Sequence, residues 1–407
     1  MSKVAVVGGG PAGMMAAYAA AQQGEVWLFE KNEKLGKKLF LTGKGRCNLT
    51  NSADIESFFS SVCKNSKFLY SAFYQLTNQE LIKLLEEHGL KVKEERGGRV
   101  FPASERSSDV IKTLERMLKQ AGVRVVLGAH VENVLLQDGR VSGLAINGEK
   151  RRFDKVVLAT GGYSYPLTGS TGEGHVMAQK LGHKIEEIRP SLIPLISPDP
   201  MCGRLQGLAL KNIVVTLYEG KKRCYSGQGE LLFTHFGLSG PLVLSASAHV
   251  SDYTFADTRV EIDLKPALSL EQLDRRMLRD FEEFKGKQLK NAILKLYPRA
   301  LGPEVLQKAG LDGGKPVGAV SRAEREQLVK VTKALPVRIS DMRSIKEAII
   351  TRGGVSTAQV NPSTMESRKV PGLFFAGELL DLDAYTGGFN LQIAFSTGYL
   401  AGLGCGE

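Results

Sequence analysis

Residues 3–30 read KVAVVGGGPAGMMAAYAAAQQGEVWLFE, and this stretch decides the fold. Lys3 to Val7 is apolar and β-branched, the pattern of a short buried strand. Gly8, Gly10 and Gly13 follow at the spacing GxGxxG. From Pro11 and Ala12 the pattern turns helical, rich in Ala and Met, and stops at Gly24. A second strand runs from Glu25 to Phe29 and closes on Glu30. Strand, glycine turn, helix, strand and acid form one βαβ unit in the order a dinucleotide site requires. The glycines permit a tight turn and let the backbone approach a pyrophosphate. The helix N-terminus offers unpaired N–H groups and a partial positive charge to the same group. Glu30 can accept hydrogen bonds from ribose hydroxyls. A carboxylate there repels a 2′-phosphate, which disfavours NADP at this site.

The next segment is basic and rich in glycine. Lys31, Lys34, Lys37, Lys38, Lys44 and Arg46 are punctuated by Gly36, Gly43 and Gly45, so a loop is expected rather than a helix. Folded back over the βαβ unit, Lys31, Lys37, Lys38, Thr42, Gly43, Gly45, Arg46 and Asn48 would meet the phosphates and a flat ring. Cys47 stands beside Arg46, and an adjacent cation lowers a thiol pKa. A solvated basic loop is the alternative.

Residues 52 to about 120 read as mainly helical, with Ser108-Asp109 able to cap a helix through Gln120. Strands follow, one of them opening at Val131, with Asp138-Gly139 and Asn147-Gly148 as hairpin turns. FDKVVLATGG (residues 153–162) then returns as a buried strand, ending on Ala159, Thr160, Gly161 and Gly162. Such a return to the nucleotide edge is common in FAD proteins. Gly172 and Gly174 precede another helix but follow no strand, so they make no second dinucleotide fingerprint. A nicotinamide donor would therefore bind transiently. Near the other end, a strand from Leu373 turns at Gly377 and Glu378, with Asp381 close behind. Gly387 and Gly388 then open an apolar helix containing Asn390, Leu391 and Gln392. Its N-terminus would face the electron-rich edge of an isoalloxazine, and Glu378 or Asp381 could bond ribityl hydroxyls.

Between these parts the texture changes at Arg189-Pro190. The expected class is α/β, a Rossmann-type FAD-binding domain carrying an inserted domain with a β-barrel part and a helical part. The boundaries expected are 1–190 and 353–407 for the FAD domain and 191–352 for the insert. Within the insert, 191–265 and 336–352 form the barrel and 266–335 the helices. Residues 265–352 hold 19 Lys/Arg against 11 Asp/Glu, most of the net charge of +11. Either this is a solvated helical face or it binds a polyanion.

At 407 residues and 43% hydrophobic content the chain is long enough for two or three domains. Cys47, Cys63, Cys202, Cys224 and Cys405 form no CxxC pair. A disulfide framework, a zinc ribbon and a dithiol reductase are thereby disfavoured, and no metal site is expected. No apolar run approaches the roughly 18 residues of a membrane span. The first strand begins at once, so no leader is expected, and the cytoplasm is the expected compartment. The oligomeric state is left open.

VVGGGPAGMMAA, LTGKGRCNLTN, LATGGYSYPLTGSTGEGH, TRGGV and AGELLDLDAYTGGFNLQIA together resemble the BaiN/RdsA family of flavoproteins, in order and from end to end. The resemblance implies bound FAD and relatives that reduce a uridine of large-subunit ribosomal RNA to dihydrouridine. Other relatives are assigned to bile-acid intermediates. On this reading NAD(P)H reduces FAD, a hydride passes to uracil, and Cys47 protonates the neighbouring carbon. Lys44 and Arg46 would hold the uracil carbonyls or a phosphate, with Tyr163 and His175 as other candidate acids. The basic insert would grip RNA. A small-molecule alkene reductase or amine oxidase is the alternative, and no membrane partner is expected.

Overall fold

The computed structural model describes residues 2–251 and 253–406. They divide into two compact units, one formed by the chain up to Ser191 and again from Ser344, the other by Leu192–Arg343.

The first unit is built on a parallel sheet. Its strands are β1 (Lys3–Val7), β2 (Glu25–Glu30), β3 (Arg124–Leu127), β4 (Lys155–Leu158) and β5 (Leu373–Phe375). They lie in the order β5-β4-β1-β2-β3. Central strands covered on both faces must be apolar throughout, and Val4 to Val7 and Val156 to Leu158 are buried accordingly. Helix α1 (Pro11–Ala20) leaves β1 through Gly8 and Gly10. It packs against a long helix contributed by the far end of the chain, Phe389–Gly404. Neither helix has a polar face, because both are enclosed. Their close approach depends on small residues. A Cβ on Gly398 would lie 2.2 Å from Ala12 O, and one on Gly402 would lie 2.3 Å from Ala16 O.

Three local readings change. The basic loop after Glu30 holds a helix, α2 (Lys37–Gly45), entered through Gly36 in a left-handed conformation. The helix breaks at Thr42, Gly43 and Lys44, which are non-helical. Residues 52–120 contain helices at Ile55–Ser61, Tyr70–Gln75 and Asn78–Glu87. They also contain a small antiparallel sheet of Thr50–Asn51, Val92–Glu95 and Arg99–Pro102. Its hairpin turns on Gly97 and Gly98, both with positive φ. Helix α3 (Ser107–Gln120) starts one residue before the expected cap, and the Ser107 hydroxyl donates instead to Phe40 O at 2.8 Å. The two hairpins of Val131–Arg152 do turn on Asp138-Gly139 and Asn147-Gly148, each with positive φ.

The second unit holds a seven-stranded antiparallel sheet. Its order is Leu335–Ile339, Thr258–Asp263, Ala209–Glu219, Lys222–Thr234, Gly237–Ser239, Leu195–Ile196 and Asp341–Met342. Its two end strands are one residue apart in the chain, and Ser340 N donates to Ile196 O at 2.9 Å, so the single stretch from Leu335 to Met342 pairs with Thr258–Asp263 at one end and with Leu195–Ile196 at the other and links the two edges of the sheet. Between Thr258–Asp263 and Leu335–Ile339 the chain forms helices at Leu270–Glu283, Leu289–Ala292, Leu301–Ala309 and Arg322–Lys333. Ser269 with Gln272, and Ser321 with Glu324, form reciprocal capping boxes at two of them. The unit ends after Arg343, not after Arg352. Ile350–Val355 pairs antiparallel with Ile185–Ser191 and so belongs to the first unit.

Candidate functional site

The main cavity lies entirely in the first unit, above the end of β1 and between the N-termini of α1 and of α4 (Phe389–Gly404). Gly8, Gly10, Pro11 and Ala12 form one wall. Gly8 has φ +107, and a Cβ there would lie 2.5 Å from Ala159 O. Gly13 does not reach the cavity. A Cβ on it would lie 1.8 Å from Gly8 O, so its role is helix–strand contact. A Cβ on Gly10 would meet nothing within 4 Å. The chain thus leaves open space where the first N–H groups of α1 emerge, which fits a pyrophosphate.

At the end of β2, Glu30 lines the cavity but is already engaged. It accepts from Gly9 N at 2.7 Å, Asn32 N at 2.8 Å and Asn32 Nδ2 at 2.7 Å. Part of its accepting capacity therefore fixes the turn, and the remainder faces any ribose. Lys31 crosses to the 166–175 segment, donating to Thr171 and to Glu173 at 2.9 Å. Burial opposes charge on Glu173, but bonds from Lys31 and Thr171 outweigh it and hold the carboxyl below its ordinary range. Val131, with His130 and Ala129 before it, completes this end.

Lys37, Lys38, Thr42, Gly43 and Asn48 bring the basic segment onto the cavity. Lys38 is the best anchored. Its ammonium donates to Glu378 at 2.5 Å and to Ser164 Oγ at 2.6 Å. Glu378 also accepts from Thr351 N at 2.7 Å, so three separated segments fix one ion pair on the wall. Ala159, Thr160 and Gly161 line the floor. Gly387, Gly388, Asn390 and Leu391 close the opposite side. Gly388 has φ +103, and a Cβ on it would lie 2.3 Å from Thr50 O. The Asn48 amide satisfies its neighbours with its oxygen toward Gly388 N at 3.0 Å and its nitrogen toward Thr50 O at 3.1 Å. The GKGRCN segment and the GGFN segment are thereby stitched together at the cavity.

Several expected residues are elsewhere. Cys47 is fully buried in the core and absent from the cavity wall. Burial pushes its thiol up to about 12, against a smaller lowering from Thr42. It is not a poised thiol and not a proton donor to this cavity. Arg46 does not activate it, because its guanidinium grips Glu95 at 2.9 and 3.2 Å and covers the Phe101 ring at 4.2 Å. Lys44 is exposed and, with Gly45, off the wall. Gly162 and Gly377 lie behind it; a Cβ on Gly377 would lie 2.7 Å from that of Ala12. Asp381 turns away to Lys64 at 2.5 Å and Asn65 at 3.0 Å. Gln392 is inside the core, accepting from Thr50 Oγ1 at 2.6 Å and donating to Leu76 O at 3.0 Å. Among the other candidate acids, His175 is buried under Tyr163, the rings stacked 5.2 Å apart. Burial lowers its pKa to about 4, although Glu378 and the Leu379 backbone favour the charged form. Neither ring nitrogen has a hydrogen-bond partner in bonding geometry. His175 is therefore held neutral at pH 7 and lies off this cavity's wall.

The cavity also recruits Gly9, Asn32, Thr168, Gly169, Ser170, Ile349, Ile350 and Thr386. The TGSTGEG block signalled its part through its glycines, but strand context had only told against a second fingerprint. Ile349 and Ile350 carried no sequence signal.

A cavity at a βαβ glycine turn, flanked by two helix N-termini and lysines, defines a dinucleotide-binding Rossmann protein. The family model described as HI0933-like protein Rossmann domain matches residues 2–404, and the chain belongs to that family. It is 31% identical over its whole length, and over the whole of the relative, to a 3-dehydro-bile acid delta(4,6)-reductase of Clostridium scindens. It is 30% identical to the ribosomal RNA dihydrouridine synthase of Haemophilus influenzae, covering 98% of this chain and 97% of that one. The Escherichia coli ribosomal RNA dihydrouridine synthase is likewise 30% identical, with 97% and 95% covered. Among solved structures, a 3-ketosteroid-delta4-(5alpha)-dehydrogenase from Rhodococcus jostii superposes with a TM-score of 0.54 at 17% identity. That match covers 100% of this chain and 97% of the other, and shows a shared fold.

Proposed function

We propose that this protein reduces a uridine of large-subunit ribosomal RNA to dihydrouridine, with NAD(P)H as the transient electron donor. The chain is an FAD-dependent oxidoreductase of the matched family. The observation that carries the uridine reading is the pair of relatives of nearly equal length that bear the name ribosomal RNA dihydrouridine synthase.

FAD bound in this cavity supplies a two-electron hydride donor. The chain's contribution is placement. The α1 N-terminus and its glycine turn would hold the pyrophosphate, and Glu30 with Asn32 would meet the adenosine ribose. Lys38, clamped by Glu378 and Ser164, presents a fixed cation to the cavity. The α4 N-terminus at Gly388 presents N–H groups that would stabilise negative charge on the edge of a bound ring. Cys47, buried and off the cavity wall, is not placed to deliver the proton that completes the reduction.

For RNA, six cations of the helical part carry no ion pair among the described residues: Arg275, Arg279, Lys287, Lys290, Arg299 and Lys330. Arg276, Lys285 and Lys295 are neutralised by Asp280, Glu282 and Glu283. If all six contact single-stranded backbone, log affinity falls with log salt at a slope of about −4. Charge reversal at Arg275, Arg279 and Lys290 is expected to flatten that slope. The decisive experiment removes the gene and quantifies dihydrouridine in large-subunit RNA by mass spectrometry. Unchanged dihydrouridine, with no second enzyme able to make it, sinks this reading.

A second reading rests on the bile-acid reductase relative, whose match is equally complete. Uridine reduction and a delta(4,6) reduction of a 3-oxo compound share one reaction, hydrogenation of a double bond conjugated to a carbonyl. Rapid reoxidation of the reduced protein by a 3-oxo-4,6-diene acid, with no RNA affinity at moderate salt, would favour it.

A further inference from the structure

A second concavity lies outside the cofactor cavity, on the same unit. One side is a single face of α3: Ser108, Ile111, Lys112 and Glu115, at helical spacing. The other is α2 with the residues before it, contributing Lys34, Leu35, Lys37, Phe40 and Leu41. Gly36 lets the two approach, since a Cβ there would lie 2.9 Å from Ile111 Cγ1. The 3-10 turn Pro166–Thr168 forms the third side and projects Leu167.

This groove is unusually apolar for a surface. Phe40 is 52% exposed, Leu41 48% and Leu167 95%. Three large side chains left in water around one hollow mark a binding surface rather than scattered exposure. The hollow encloses about 470 Å³, within the roughly 300–1,000 Å³ of small-molecule sites. Its rim selects by charge. Lys34 and Lys112 carry no ion pair among the described residues, whereas Lys37 is held by Glu33 at 3.0 Å. Glu115 is the one acidic residue on the lining. Nucleic acid would find one aromatic ring and a concave aliphatic floor instead of a stacking platform.

We propose that this groove binds a small amphipathic anion: an aliphatic or alicyclic body seated on Phe40, Leu41, Ile111 and Leu167, with an acid group held by Lys34 and Lys112. This site is distinct from the cofactor cavity and does not depend on which substrate the enzyme reduces. It is nevertheless connected to that cavity. Lys37 and Thr168 line both hollows, and Lys37 bonds Asn32 Oδ1 at 3.1 Å, the same Asn32 that bonds Glu30.

The test titrates the flavin-loaded full-length protein with decanoate by calorimetry, using uncharged decanamide as the comparison. One decanoate per chain is expected, with decanamide at least tenfold weaker. The double variant Lys34→Glu/Lys112→Glu should weaken decanoate at least tenfold and leave decanamide unchanged. Leu167→Asp should weaken both. All three positions are exposed, and unchanged flavin content and melting temperature establish that the variants fold. Equal decanoate binding by wild type and double variant overturns the proposal. So does a dimer in sedimentation that Leu167→Asp dissociates, or RNA binding that Leu167→Asp abolishes. Those two results assign the groove to a second copy or to nucleic acid.

Discussion

Cys47 illustrates how little a neighbour in sequence says about a neighbour in space. Arg46 precedes it, yet the guanidinium is spent on Glu95 and Phe101, and the thiol is enclosed with a pKa pushed up to about 12. Cys47→Ala should therefore keep turnover within about twofold and lose about 1 kcal/mol of stability, the cost of one buried side-chain atom group. Iodoacetamide should leave Cys47 unlabelled in the folded protein at pH 8, as read by mass spectrometry, and label it on denaturation. His175 gives a pH signature. Its folded pKa is lowered to about 4, so between pH 6.5 and 4 the unfolded chain binds a proton that the folded chain refuses. Stability present above pH 6.5 is lost as pH falls toward 4, by about 3 kcal/mol from this group. Denaturant melts across that range measure it, and His175→Phe should remove that share of the slope.

The glycine turn and the two helices it serves make a sharper test than any single side chain. Gly13 and Gly10 look alike in the motif but do different work. Gly13→Ala drives a Cβ into Gly8 O and should destabilise the fold by several kcal/mol. Gly10→Ala meets no protein atom, so it should melt like wild type yet be purified with little flavin. The clamp on Lys38 belongs to the same level. Glu378→Gln removes the charge facing the ammonium, and the FAD dissociation constant should rise roughly tenfold, measured by flavin fluorescence. These elements were readable in the sequence because each is local: a strand, a turn and a helix within 30 residues, and a Gly-Gly opening an apolar run. What could not be read was where side chains point once helices pack. Gln392 stands one turn beyond Gly388 on a helix buried all round, so it faces the core and not the ring. Asp381 and Glu378 are three residues apart in sequence, but only Glu378 meets Lys38.

In the whole chain, the first unit is discontinuous and the second is one uninterrupted stretch, Leu192–Arg343. The change of texture at Arg189-Pro190 marked one junction. The other was misplaced by about nine residues, because a strand at Ile350–Val355 reads the same whichever sheet it joins. Its partner, Ile185–Ser191, is set by tertiary structure alone. The excess positive charge was visible in composition. Its partial cancellation by i,i+3 and i,i+4 carboxylates and by Glu283, Asp274 and Asp263 needed the folded helices. The groove between α2 and α3 carried no motif at all. It arises because Gly36 brings α2 and α3 together while leaving Phe40 and Leu41 of α2 uncovered.

The pairing of α1 with α4 also sets a timetable. Residues 11–20 leave the ribosome before their partner, Phe389–Gly404, which comes almost 370 residues later. At roughly 5–20 residues per second, α1 waits on the order of 20–70 s for the surface that buries it. The stretch Leu192–Arg343 emerges whole in the meantime and has all its ladder partners within itself. The order of assembly is thus inside out, with the interrupting segment settling first and the cradle closing last. Flavin capture then reports that synthesis has passed Phe389–Gly404. A chain stopped before Phe389 should emerge colourless, with its Leu192–Arg343 segment already protected from protease.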